Sequence, residues 1–242
     1  MALPIVTSRT ISGSVDNRAK LANSNIARTW SSYVGTNWTT IRIGCRLSIT
    51  DSGANIISTP RFAFGICSGT SNIFMDATTT HFFGIVSYNA TWTRTTSPVK
   101  YMLGNGSYFD SGIAAAKRIG STLTTDAFSN SPFPGATYLF DSADGNGNRV
   151  VLFLDITKGS PNFSIKPFYY KGGGTPVDVS TDTFLANMEY TSPAITGHAI
   201  GNETKTMAID EATNGYFNAV NIAWDRTTPA IEISDVAVVR FS

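Results

Sequence analysis

Apolar residues recur at every second position in the most regular stretches of this chain, and that period limits what it can fold into. In Ile41-Arg42-Ile43-Gly44-Cys45-Arg46-Leu47-Ser48-Ile49 the odd positions are apolar and the even ones charged, polar or small. Arg61-Phe62-Ala63-Phe64-Gly65-Ile66-Cys67 alternates aromatic or aliphatic residues with small ones. Successive side chains of a strand point to opposite faces, so such runs read as strands that turn one face to a core. The composition agrees. Val, Ile and Thr supply 65 of the 242 residues, whereas Leu, Glu, Lys, Met and Gln supply 25. β-branched side chains lose rotamer freedom in a helix and pack well on a pleated sheet, which argues against a helical protein.

Further strands are expected at His81–Tyr88, Val99–Leu103, Thr137–Phe140, Arg149–Ile156, Asn162–Lys171, Lys205–Asp210, Phe217–Trp224 and Pro229–Phe241. Pro167 lacks an N–H for a ladder, which predicts an edge strand or a bulge around it. The parity of the last strand shifts near Ser234-Asp235, which predicts a second bulge. Asp51-Ser52-Gly53, Ser68-Gly69, Asn105-Gly106, Gly172-Gly173-Gly174 and Asn214-Gly215 punctuate the runs as turns. About ten short strands separated by turns predict an all-β, antiparallel sandwich, and such folds run to roughly 200–250 residues as one unit. Helix is expected only at Thr181–Glu189, with Ser180 or Thr181 as N-cap, and at Gly112–Ile119 around its alanine run. The stretch from Gly104 to Gly135 reads as a long connection, the kind that often carries function.

Residues 1–30 are short of large apolar groups and hold Arg9, Arg18, Lys20 and Arg28 against the single acid Asp16. They read as a polar arm, either wrapped on the domain or ordered on a partner, with residues 31–242 as a single sandwich domain. The start of the chain has no basic cluster followed by an apolar stretch, so no secretory signal is expected and synthesis in a cytoplasm is. No apolar run reaches the ~18–20 residues of a membrane span. A net charge of +1 gives no electrostatic footprint for nucleic acid. Cys45 shares parity with the core residues of its strand and Cys67 opposes those of its own, so two thiols on different faces, unbridged, are expected.

Candidate chemistry is sparse. Asp144, Asn146 and Asn148 resemble the start of a calcium loop with Asp155 at its twelfth position, but Arg149 stands where such a loop needs glycine. A hairpin tip is the preferred reading there, and no cofactor is expected. Gly65-Ile66-Cys67-Ser68-Gly69 has the spacing of a nucleophile elbow, yet no helical period follows it. His81 and His198 are the chain's two histidines, too few for a zinc site and each placed at an ordinary strand-end or surface position. Glu232-Ile233-Ser234-Asp235 resembles the acidic strand motif of sandwich-fold β-glucanases but lacks its spacing, so Glu232 and Asp235 form only a weak acid pair. The expectation is therefore a protein that is not an enzyme. Aromatic rings in polar surroundings suit contact with a sugar face or a protein. Trp92 and Arg94 in a polar stretch, then Tyr108, Phe109 and Asp110, are the expected contact residues, whereas Trp224 is expected in the core.

The order of these elements resembles the concanavalin A-like, laminin-G-like jelly-roll family. The resemblance is carried by Thr40–Ile49, the pair Arg149–Ile156 and Phe163–Tyr170, a short helix before a late strand, and the closing Phe217–Trp224 and Ile231–Val238 segments. It spans about residues 38–242 and implies a lectin-like sandwich that binds carbohydrate, sometimes with calcium. The polar, near-neutral, Thr/Ser/Asn-rich style also resembles tailed-phage virion proteins. This implies a tail, fibre or capsid-decoration subunit, assembled in the host cytoplasm, homo-oligomeric, docked through residues 1–30, with loops 70–80, 89–98 and 104–135 facing a partner or a host-surface glycan. A free carbohydrate-binding module or lectin, and a sandwich-fold glycoside hydrolase or lyase, are the alternatives.

Overall fold

The fold is given by a computed structural model, which describes residues 6–11, 19–21, 24–29, 36–49, 62–68, 81–87, 92–96, 99–103, 113–128, 140–141, 149–170, 184, 188, 198–199, 203–211, 216–224 and 231–241. These form two large antiparallel sheets and one small one. The larger sheet has the order β1 (Val6–Ile11), β17 (Ile231–Phe241), β4 (Thr40–Ile49), β12 (Arg149–Lys158), β13 (Asn162–Tyr170) and β14 (His198–Ala199). β2 (Ala19–Leu21) adds to β17, and β15 (Lys205–Ala208) adds to β13. The second sheet runs β10 (Thr122–Ala127), β9 (Ile113–Ile119), β6 (His81–Ser87), β5 (Phe62–Ser68), β16 (Ala219–Trp224) and β3 (Ser24–Thr29). A third, smaller sheet joins β11 (Phe140–Asp141), β8 (Val99–Leu103) and β7 (Trp92–Thr96).

The alternation read from the sequence builds the core. Ile41, Ile43, Cys45 and Leu47 of β4 meet Phe62, Phe64 and Ile66 of β5 within one buried cluster. Leu152, Leu154, Ile165, Ile231, Val236 and Val238 join from the larger sheet, and Phe83, Ile85, Val220, Ile222 and Trp224 from the smaller. Each fully buried side chain of this kind stabilises the fold by about 1.5–3 kcal/mol relative to exposure. Two facing antiparallel sheets with one shared core make this an all-β antiparallel sandwich, as expected.

The two cysteines lie as parity predicts. Cys45 belongs to the inter-sheet core, and Cys67 to a separate cluster with Ala63, Phe82, Ala116, Ala219 and Ala223 on the opposite face of the smaller sheet. Neither cysteine is in a disulfide, and both are buried. The β17 bulge is also found, as a register shift between Ile233 and Asp235 against β4. Around Pro167 the outer neighbours of β13 divide. β15 pairs with Asn162–Ile165 and β14 with Phe168–Tyr169, so the prolyl position falls between two ladders and faces Leu154 of β12 on the other side.

Two expectations are corrected. Within the expected helix Gly112–Ile119, Ile113–Ile119 is strand β9, and the long connection from Gly104 to Gly135 contains the β9–β10 hairpin turned at Gly120-Ser121. The alanine run is used for its size. Ala116 pairs with Gly84 and Ala114 with Val86, and Ala114 and Ala116 are fully buried on the face where Gly84 lies opposite Gly65. A Cβ at Gly65 or Gly84 would overlap the backbone of the other strand. Close packing of small residues there outweighs alanine's helical preference. Phe184 and Met188, within the other expected helix, do take helical backbone and cover the outer face of the larger sheet with Val151, Phe153, Ala237 and Val239.

Within residues 1–30, β1 and β2 pair with β17 and β3 pairs with β16, so the segment contributes to both sheets. Arg9, Lys20 and Arg28 fall on these strands, with side chains outside the described set; Arg18 lies outside the described residues altogether.

Candidate functional site

At one end of the sandwich, β12 turns into β13 through Gly159-Ser160-Pro161, and β15 runs out through Ile209, Asp210 and Glu211. The two segments are tied where the Ile209 N–H donates to the Pro161 carbonyl oxygen at 2.9 Å. Gly159 is required at the turn because a Cβ there would strike the Asn162 carbonyl oxygen. With Tyr216, just before β16, these residues line a cleft of about 490 Å³ whose members are Lys158, Gly159, Ser160, Pro161, Phe163, Ile209, Asp210, Glu211 and Tyr216. That volume lies within the ~300–1,000 Å³ usual for small-molecule sites.

The floor is apolar and rigid. The Phe163 ring sits edge-on to Trp38 at 5.8 Å and to Phe83 at 5.9 Å, and tilted against Phe217 at 5.8 Å. Edge-to-face pairs of this kind are worth about 0.5–1.5 kcal/mol beyond the area they bury. The wall is a linked polar set. The Lys158 ammonium meets Glu211 Oε2 at 2.6 Å, donates to the Thr36 carbonyl oxygen at 2.8 Å, and lies 4.2 Å from the Trp38 ring centroid. Glu211 Oε1 accepts the Phe217 N–H at 3.4 Å, which fixes the chain immediately after Tyr216. Tyr216 itself is 56% exposed, and its ring centroid is 5.9 Å from the Lys158 ammonium. Asp210, Ser160 and Pro161, on the same lining, are also exposed. The cleft thus offers an apolar ring face and carboxylate acceptors at one opening.

The residues expected from sequence fall elsewhere. Trp92 and Arg94 occupy alternate positions of β7, paired with Leu103 and Tyr101 of β8, and their side chains are outside the described set. Tyr108, Phe109 and Asp110 lie outside the described residues, as do Asp144, Asn146 and Asn148. Glu232 is half-buried on β17 opposite Ser48; Asp235, beyond the bulge, is in register with Arg46. Trp224 is fully buried, as expected. Burial pushes the Cys67 thiol up to about 12 against a weaker lowering by Asn221, and burial also raises Cys45 well above the usual thiol range. Thiols so hard to ionise are poor nucleophiles, and Cys67 continues a strand where an elbow would turn into a helix. His81 is structural: its Nδ1 accepts the Gly120 N–H at 3.3 Å and its own N–H donates to Ser68 Oγ at 3.1 Å. Sequence reasoning missed Tyr216. The available signal was an aromatic residue directly after the Asn214-Gly215 turn.

No family model matches the chain, and no curated protein matches it. Among solved structures, an alginate lyase from a Chlorella virus is similar over 99% of this chain and 91% of its own, with 6% identity and a TM-score of 0.44. Peanut lectin is similar over 96% and 88%, at 10% identity and a TM-score of 0.43. A legume lectin-like domain from Entamoeba histolytica is similar over 97% and 90%, at 8% identity and a TM-score of 0.41. The expectation that the chain is not an enzyme is corrected by this comparison, because an enzyme stands among the similar structures beside lectins. The expectation rested on the scarcity of acids and histidines along the chain. Such a count says nothing of whether the few present converge, and Lys158, Asp210, Glu211 and Tyr216 line one cleft.

Proposed function

We propose that the chain is a carbohydrate-recognition protein and that the Tyr216 cleft holds the sugar. The observation that carries this is an exposed tyrosine ring at the opening of a cleft that also presents the exposed Asp210. A pyranose has one apolar C–H face, which stacks on an aromatic ring, and an equatorial rim of hydroxyls, which donate to carboxylates. Charge-assisted hydrogen bonds of that type are about twice as strong as neutral ones. The phenolic O–H and the Ser160 hydroxyl add further donors and acceptors at the same opening. The contacts expected at Trp92, Arg94, Tyr108, Phe109 and Asp110 belong to the same proposal as a second contact region. Affinity electrophoresis in gels containing neutral polysaccharides tests it. Retardation of the wild-type chain, lost in Tyr216→Ala and retained in Leu123→Ala, is the expected result. Retardation unchanged by Tyr216→Ala would remove this cleft from the account.

A second reading is a subunit of a larger, virus-like assembly, the setting implied by the resemblance of the composition to phage virion proteins. It is favoured by the edge strand β10, of which five of six residues are exposed, including Leu123 at 45%. Exposed edges are templates for pairing with another chain. Sedimentation of the full chain should then show a defined oligomer that Leu123→Lys shifts toward monomer.

A further inference from the structure

Resting on the carbohydrate reading, we infer that Lys117, which lies on the smaller sheet and outside the Tyr216 cleft, is a positioning residue for that cleft. Its ammonium holds the peptide unit from which the wall of Ile209, Asp210 and Glu211 departs. Lys117 shares parity with Ala115 of the inter-sheet core and pairs with Phe83, another core residue, so its side chain leaves β9 on the face turned to the larger sheet. There its Nζ donates to the Ala208 carbonyl oxygen at 2.7 Å. Ala208 is the last residue of β15 and pairs with Asn162. The N–H of the same peptide unit, on Ile209, donates to the Pro161 carbonyl oxygen at 2.9 Å. One peptide is thus gripped at both poles, by the smaller sheet at its oxygen and by the β12–β13 turn at its nitrogen.

A planar trans peptide points its C=O and N–H in opposite directions, so fixing both holds the plane in one orientation. A cationic donor on the oxygen also polarises the unit and strengthens donation by its N–H. The next three residues, Ile209, Asp210 and Glu211, line the cleft. Glu211 at their far end meets the Lys158 ammonium and accepts the Phe217 N–H, so the wall is anchored at its start by Lys117 and at its end by Lys158. β15 has a second tie to the β9–β10 hairpin, where Lys205 meets Asp126 at 3.1 Å and also Glu203 at 2.7 Å. That tie grips a side chain at the start of β15, whereas the Lys117 bond acts on the backbone where the strand enters the cleft.

Two measurements on the full chain separate the clamp from the binding. Amide hydrogen exchange followed by NMR reports the Ile209 N–H, and affinity electrophoresis in neutral-polysaccharide gels reports the cleft. Lys117→Met keeps an unbranched stem and removes the ammonium. It should speed exchange at Ile209 by about tenfold and weaken affinity for the gel polysaccharide by about threefold or more, with the urea midpoint close to that of the wild type. Lys117→Arg retains a cationic donor and should restore both. Asp126→Asn, which loosens the other tie, should leave Ile209 exchange as it is. Unchanged exchange in Lys117→Met, or faster exchange with full retardation, overturns the inference, while loss of retardation in Tyr216→Ala keeps the carbohydrate cleft. Weakened retardation that Lys117→Arg does not restore, or that comes with a matching fall in the urea midpoint, assigns Lys117 to stability alone and also overturns it. A wild-type chain that is not retarded, or retardation indifferent to Tyr216→Ala, overturns the carbohydrate reading and this inference with it.

Discussion

Gly44 shows how one residue type opens a face for covering. It lies in β4 on the outer face of the larger sheet, and a Cβ there would come 2.5 Å from Met188 Sδ and 3.1 Å from the Phe184 ring. The missing side chain lets the helical segment settle on the sheet, with Phe184 stacked on Phe153 at 5.8 Å. Gly44→Val should therefore destabilise the fold by about 1–3 kcal/mol through overpacking, read as a lower urea midpoint at unchanged slope. Adding Met188→Ala should recover part of the loss, since the two changes share a contact. The thiols make a second residue-scale prediction. An unfolded thiol begins to ionise near 9.0, whereas the folded Cys67 holds its proton up to about 12. The folded state then binds more protons across that window. Stability is complete below pH 9 and declines as pH rises toward 12, by roughly 1.4 kcal/mol per pH unit for each such thiol. Chemical denaturation across that window should show the decline, and Cys67→Ala should make it shallower, leaving the share carried by Cys45. A decline of the same slope in that variant would assign it to other groups.

Among the elements, those with clean alternation were legible and those whose logic is tertiary were not. β4, β5 and β12 carry their core side chains in sequence order, so their period alone places them. β9 does not: its alanines are helical by propensity and become a strand only because Gly65 and Gly84 let small residues pack on that face. β10, with Leu123 its lone large apolar residue, has no buried face to announce it, and β7 is similarly polar in sequence. The turn that joins β9 to β10 is set by Gly120, at φ 58°, which satisfies both its N–H on His81 Nδ1 and its carbonyl oxygen on Arg118 Nε. Left-handed backbone costs a side chain about 1–2 kcal/mol, and most for β-branched residues. Gly120→Val should lower the thermal midpoint accordingly, while Gly120→Asn, which tolerates this region, should stay close to the wild type.

At the scale of the molecule, the cleft was hidden from the sequence for a topological reason. Its residues come from the β12–β13 turn, the exit of β15 and the entry of β16, segments about fifty residues apart that meet only once both sheets are packed. The sheets are closed in the same long-range manner. β17, at the end of the chain, lies between β4 and β1; β1 and β2 both pair with it, while β3 forms an edge of the smaller sheet. Removing residues 1–30 therefore strips a neighbour from β17 and from β16 at once. Each lost ladder hydrogen bond is worth about 0.5–1.5 kcal/mol net, and the bared edges become sites for pairing between chains. The truncated chain should unfold at clearly lower denaturant and associate at concentrations where the full chain does not, seen by denaturation and light scattering together. An unchanged midpoint would mean that these three strands are appended to a sandwich that is complete without them, and that their ladders serve attachment rather than closure.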